Sequence, residues 1–183
     1  MKVVPRIVVG EFEKTRALAS VEREEIEEDS LQGFVLGCDG TWVAMQRVYD
    51  FRLDGLMFVR LEDLTAMTSG ETDIFQRKLL EEEGLLAEVN FDFSFPDGGV
   101  LEWLRKLPSE RVVTLENERD DEFLFLIGRI EAIDGEVIKV RSFDREAQWD
   151  AELDELQLDD LTSISVGGNY ALTYERYFFR EGI

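Results

Sequence analysis

Asp150, Glu152 and Asp154 alternate along one short stretch of the chain. Carboxylates spaced in this way can bind a hard cation, exchange a proton or attract a positively charged partner. A calcium loop needs glycine at its sixth position and a bidentate glutamate at its twelfth. Counted from Asp150 those positions hold Glu155 and Leu161, so the calcium reading fails. The alternation predicts a strand, with Leu153 inward and the acids outward. Acid–base catalysis would need two particular carboxylates facing each other, and 41 acidic residues nominate no pair. Tyr170, Tyr174 and Tyr177 form the second candidate group. Their spacings of four and three fit a helix face, although a strand would also accommodate them. Such a stripe either docks on its own domain or is offered to a partner, where tyrosine is enriched. These six residues are the candidate partner-binding positions.

Other chemistries are missing from the sequence. There is no histidine, which removes Ser-His and Cys-His nucleophiles, histidine metal sites and the usual base at neutral pH. Cys38 ends an apolar run before a tight turn and reads as a half-buried filler. Neither Gly-x-Gly-x-x-Gly nor a Walker-type phosphate loop occurs, and Gly98-Gly99 and Gly167-Gly168-Asn169 read as turns. No catalytic residue, metal or cofactor is expected.

The charge balance narrows the partners. Against 41 acidic residues stand 20 basic ones, for a net charge of −21. A surface so negative repels phosphate backbones and anionic lipids and favours cationic proteins. The imbalance is uneven: residues 110–162 carry 17 acidic and 6 basic side chains, residues 15–65 only 11 and 5. The best basic stripe, Lys139 with Arg141 and Arg145, is flanked by Asp144 and Glu146. Apolar residues make up 44% of the chain, enough for real cores, yet no apolar run is long enough to span a bilayer. A start without a secretory signal and a single cysteine point to the cytoplasm.

The elements that must position these residues come in two copies. Residues 15–40 align without a gap on residues 110–135 at an offset of 95, and Leu61-Glu62-Asp63-Leu64-Thr65 recurs as Leu158-Asp159-Asp160-Leu161-Thr162. Repetition on this scale predicts a duplicated unit. In each copy a β-prone run leads into an acidic turn (Glu24 to Ser30, Arg119 to Glu122). A strand with an internal glycine follows, Gly33 or Gly128, then an Asp-Gly hairpin and a return strand. The predicted strands place Trp42, Phe58, Phe125 and Phe143 in a core. A helix is expected from Ser69 to Glu83, with Ile74, Phe75, Leu79 and Leu80 on one face and Gly84 as its stop. Phe91 to Gly99 reads as an irregular linker and Val100 to Leu107 as a short helix before Pro108.

The expected fold is therefore mainly β with a few helices (α+β). Residues 1–88 form a small barrel plus helix, 89–109 a linker with a short helix, and 110–183 a second small barrel plus a C-terminal helix. The stretch Phe125 to Phe143, FLIGRIEAIDGEVIKVRSF, resembles the first motif of Sm-like proteins, which share a general shape with SH3-like barrels. That resemblance implies RNA binding by ring oligomers. The chain departs from it at Leu158-Asp159-Asp160, where the family carries an Arg-Gly-type RNA-contacting motif. The whole also resembles uncharacterised bacterial proteins with tandem small barrels, which imply no particular activity.

The leading expectation is a non-enzymatic acidic protein-binding module, an adaptor or immunity-type protein that captures a basic partner. An Sm-like nucleic-acid binder and a carboxylate-based enzyme or metal-binding protein are the alternatives, and self-association is left open.

Overall fold

Runs rich in Val, Ile, Leu and Phe become strands wherever glycine or Asp-Gly turns bound them. A computed structural model describes residues 3–27, 29–119 and 123–182, so parts of both acidic turns (residue 28 and residues 120–122) lie outside the described residues. The first five strands are β1 (Leu18–Glu22), β2 (Leu31–Cys38), β3 (Trp42–Tyr49), β4 (Arg52–Arg60) and β5 (Ala66–Thr68). Then come β6 (Val112–Asn117), β7 (Leu124–Asp134), β8 (Val137–Ser142), β9 (Asp154–Gln157) and β10 (Ser163–Val166). The helices are α1 (Arg6–Thr15), α2 (Glu71–Glu82), α3 (Gly99–Arg105) and α4 (Asn169–Glu181). The fold is mainly β with helices added, an α+β arrangement. Among the described residues no helix is long and apolar enough to cross a membrane.

All ten strands lie in one antiparallel sheet of order β5-β1-β2-β3-β4-β10-β6-β7-β8-β9, which does not close. Its edges are β5 and β9. The strands expected in two separate units are thus joined by backbone hydrogen bonds at the β4–β10 junction.

Both halves follow the same local plan. The second and third strands bulge at corresponding places, between Val35 and Gly37 in one half and between Ile130 and Ala132 in the other. Gly33 and Gly128 sit where a neighbouring strand passes too close for a side chain. A Cβ on Gly33 would lie 2.5 Å from the carbonyl oxygen of Gln46, and one on Gly128 would strike that of Arg141. Backbone cannot yield as a flexible side chain would, so Gly128→Ala is expected to destabilise the fold by about 3 kcal/mol. A urea titration with unchanged m-value would measure it.

The register corrects one detail of the repeat. Gly33 and Gly128 stand opposite Ala19 and Val113, so β1 and β6 correspond at an offset of 94, not 95. The loop before β7 is one residue longer than that before β2. A one-residue slip turns every side chain to the other face, and only strand pairing reveals it. Fourth and fifth strands correspond at 97, because Arg60 and Gln157 pair with the matching residues Trp42 and Val137.

The Leu-acid-Asp-Leu-Thr element forms a single 3-10 turn in each half, with Leu64 and Leu161 fully buried. Thr65 and Thr162 follow it, and their N–H groups donate to Glu22 O and Glu116 O at the ends of β1 and β6.

The largest core cluster draws on both halves, with Phe34, Trp42 and Phe58 from one and Leu115, Ile138 and Ile164 from the other. Phe91, Phe93 and Phe95, on the irregular stretch after α2, pack against it beside Trp103. Smaller clusters lie under α1 and α4.

Several side chains depart from expectation. Helix α2 turns Asp73 and Leu80 inward and leaves Ile74 and Phe75 exposed. Its N-cap is Gly70, not Ser69, and Asp73 accepts hydrogen bonds from Gly70 N, Ser20 Oγ and Gln32 Nε2, which makes the buried carboxylate affordable. Phe125 is exposed and so is Leu153, which precedes β9 instead of filling it.

Candidate functional site

The carboxylates singled out in the sequence gather around Ser142, the last residue of β8. Ser142 Oγ lies 2.8 Å from Asp150 Oδ2 and 2.5 Å from Asp154 Oδ2. A hydroxyl carries one proton, so it can donate to only one of them. Glu152, between them in sequence, is exposed. Asp154 and its exposed neighbour Glu155 lie on β9, an edge of the sheet. Lys139, on β8, is shared between Asp134 at 3.1 Å and Glu155 at 3.3 Å. Such exposed pairs add little stability, but they occupy the one lysine of the expected basic stripe. Arg141 is likewise held by Glu131 Oε1 and Asp150 O.

The tyrosines divide. Tyr174 stacks on Phe143 with ring centroids 4.8 Å apart, and its hydroxyl donates to Arg145 O. Its phenol is held above the usual tyrosine range, first by its hydrogen bond with Tyr170 and then by burial. Tyr177 packs on Phe178, which is fully buried, and only Tyr170 stands largely exposed. Two of the three therefore anchor α4 to its own cluster. Ser142 faces the carboxylates, while the adjacent Phe143 faces Tyr174. Alternation along the chain thus sends the acidic group and the aromatic group in opposite directions.

A second constellation, not foreseen from the sequence, bridges the halves. Arg23, 1% exposed, follows β1 and reaches Glu118 beyond β6 through two hydrogen bonds, Nη1 to Oε2 at 2.9 Å and Nη2 to Oε1 at 3.0 Å. Its Nε and Nη2 also donate to Glu27 Oε1. Thr162 Oγ1 lies 2.7 Å from Glu118 Oε2. Beside them, burial pushes the Glu116 carboxyl up to about 7, and the neighbouring Glu118 charge adds to the rise. Further along the junction Arg119 pairs with Asp63 and Glu62. Arg60 stacks over Trp42 at 4.3 Å and donates to Leu161 O and Leu158 O. An arginine among acids, as in Glu22-Arg23-Glu24, was the only sequence signal for this network. It gives no hint of a partner some ninety residues away.

Chemically, the junction network is a lock. Arg23 and Arg119 are held by carboxylates, and Arg60 by two backbone carbonyls and Asp159. The acidic edge is different, because the single Ser142 proton serves only one of two carboxylates and, among the described residues, no strand pairs with the outer side of β9.

No family model, curated protein or solved structure matches this chain. Cys38 adds nothing to the site: the thiol is half-buried at the end of β2, and burial raises its pKa, which lowers its reactivity.

Proposed function

We propose that this chain is an acidic protein-binding module that captures a basic partner by taking an extended segment of it onto the β9 edge. In this reading the chain is a tandem of two small barrel-like units that arose by duplication, and only one of the two corresponding edges is filled. The observation that carries it is the contrast between β4 and β9. The outer edge of β4 is paired with β10, whereas the corresponding edge of β9 has no strand beside it among the described residues. Strand addition would supply the backbone affinity. Asp154, Glu155 and the flanking Asp150 and Glu152 would select lysine or arginine on the incoming strand. A cation there would also serve the carboxylate that the single Ser142 proton leaves unserved. The pairing of Lys139 and Arg141 with nearby carboxylates weighs against a phosphate-binding face on the same strand.

A fluorescent octapeptide of alternating lysine and valine tests the proposal by anisotropy. Binding is expected at low salt and should weaken by about tenfold or more at high salt. D154K/E155K should abolish it, while Glu11→Lys on the exposed face of α1 should leave it unchanged. Binding that ignores salt, or survives the double reversal, rules the reading out.

A further inference from the structure

The interior junction shows which strand each edge of this sheet is shaped to receive. There β10 meets β4 through Ser163 with Val59, Ile164 with Phe58, Ser165 with Met57 and Val166 with Leu56. Register carries each β4 residue to its counterpart 97 positions on. Val59, Phe58 and Met57 correspond to Leu156, Glu155 and Asp154 of β9. By the same comparison Ser163, Ile164 and Ser165 correspond to Ala66, Met67 and Thr68 of β5. Among the described residues, the two outermost strands of the sheet are therefore the counterparts of the two strands that pair inside it.

We propose that β9 of one copy and β5 of a second copy are complementary edges, and that Asp154 and Glu155 keep them apart. Left alone, such edges join head to tail, since each copy offers one of each and the contact does not close on itself. The substitutions along β9 oppose that outcome. Where β4 presents Met57 and Phe58 to its partner strand, β9 presents two carboxylates. Around β5 lie Glu22, which pairs with Ala66, Glu71, which opens α2, and Glu62 and Asp63, both paired with Arg119; no lysine or arginine lies between residues 61 and 76 of the chain itself. Two negative edges on chains of net charge −21 repel. The β5 end is guarded by the segment before α1 as well. Val4 N donates to Leu64 O at 2.8 Å, whereas the corresponding carbonyl inside the sheet, Leu161 O, is taken by Arg60. Charged edge residues and a short edge strand are the usual means of stopping such growth. The carboxylates that would draw in a basic strand thus turn away the chain's own.

Light scattering over a range of protein concentrations tests this. The natural chain should keep the mass of a single copy, whereas D154M/E155F, which gives β9 the residues of β4, should form oligomers that grow with concentration. Met67→Pro in that background removes a strand donor from β5 and should return the mass to one copy. D154N/E155Q, which removes the charge at constant volume, should associate more weakly and covers the case in which D154M/E155F fails to fold. Folded neutral or apolar variants that stay single, oligomers that survive the β5 proline, or association of the natural chain at low salt would each overturn the proposal. Peptide binding by the natural chain is read separately, so failure of one idea does not imply failure of the other.

Discussion

Replacing Arg23 by methionine is expected to cost the fold about 3 kcal/mol, because it leaves two partly buried carboxylates without their cation. The guanidinium is 1% exposed and grips Glu118 with two parallel hydrogen bonds while also holding Glu27. Methionine fills much of the same volume, so the loss reads electrostatics more than packing. Arg23→Lys should fall between the two, since an ammonium cannot make the paired contact. Urea denaturation followed by tryptophan fluorescence measures both. A loss under about 1 kcal/mol for Arg23→Met would show that the ion pair contributes no more than a surface bridge.

The second large effect is a pH dependence centred on Glu116. Its carboxyl is raised to about 7 in the folded chain, against an ordinary value of 4.5. Between those values the folded state binds the extra proton, so stability falls as pH rises. The contribution is fully present below about pH 4.5 and is lost as pH passes through about 7, for a total of up to about 3 kcal/mol. Glu116→Gln should remove that part of the slope, stabilising the chain above neutral pH and changing little at pH 4. If the unfolding free energies of the two proteins run parallel from pH 4 to 8, Glu116 does not titrate in this window. The predictions are coupled. Arg23 holds the Glu116 carboxyl down, so Arg23→Met should move its titration upward, and adding Glu116→Gln should recover part of the Arg23→Met loss.

Local features of this fold were legible because they depend on neighbours in sequence. Gly33 and Gly128 mark bent strands in the sequence; the bulges lie a few residues beyond them, and at the glycines themselves a neighbouring backbone leaves no room for a side chain. Asp39-Gly40 and Asp134-Gly135 reported reversals, and Gly84 the end of a helix. The inward face of α2 was misread. Ile74 and Phe75 looked like core residues, but Ser20 and Gln32 on the adjacent strands offer Asp73 a buried set of donors, and the helix rotates to use it. Leu153 was misread because the loop from Phe143 to Glu152 closes through its own Phe143–Trp149 contact, which delays the strand until Asp154.

The candidate residues divide in the same way. The acidic stretch was visible as a charge pattern, but whether it lay on a face or on an edge was not. Tyr174 and Tyr177 were visible as a helix stripe, but their anchoring depends on Phe143 and Phe178 arriving from elsewhere. The junction network could not be read at all, since Arg23 and Glu118 meet across 95 positions of chain.

What the sequence determined by itself is the strand-rich repeat, its glycine bends and hairpins, and the strong negative charge. These follow from backbone sterics and composition, which act over a few residues. Only the tertiary structure decided that the two halves share one sheet, that β10 fills the edge of β4, and that β9 is an outermost strand among the described residues. Strand pairing joins residues far apart in sequence, and its register depends on which edges meet in space.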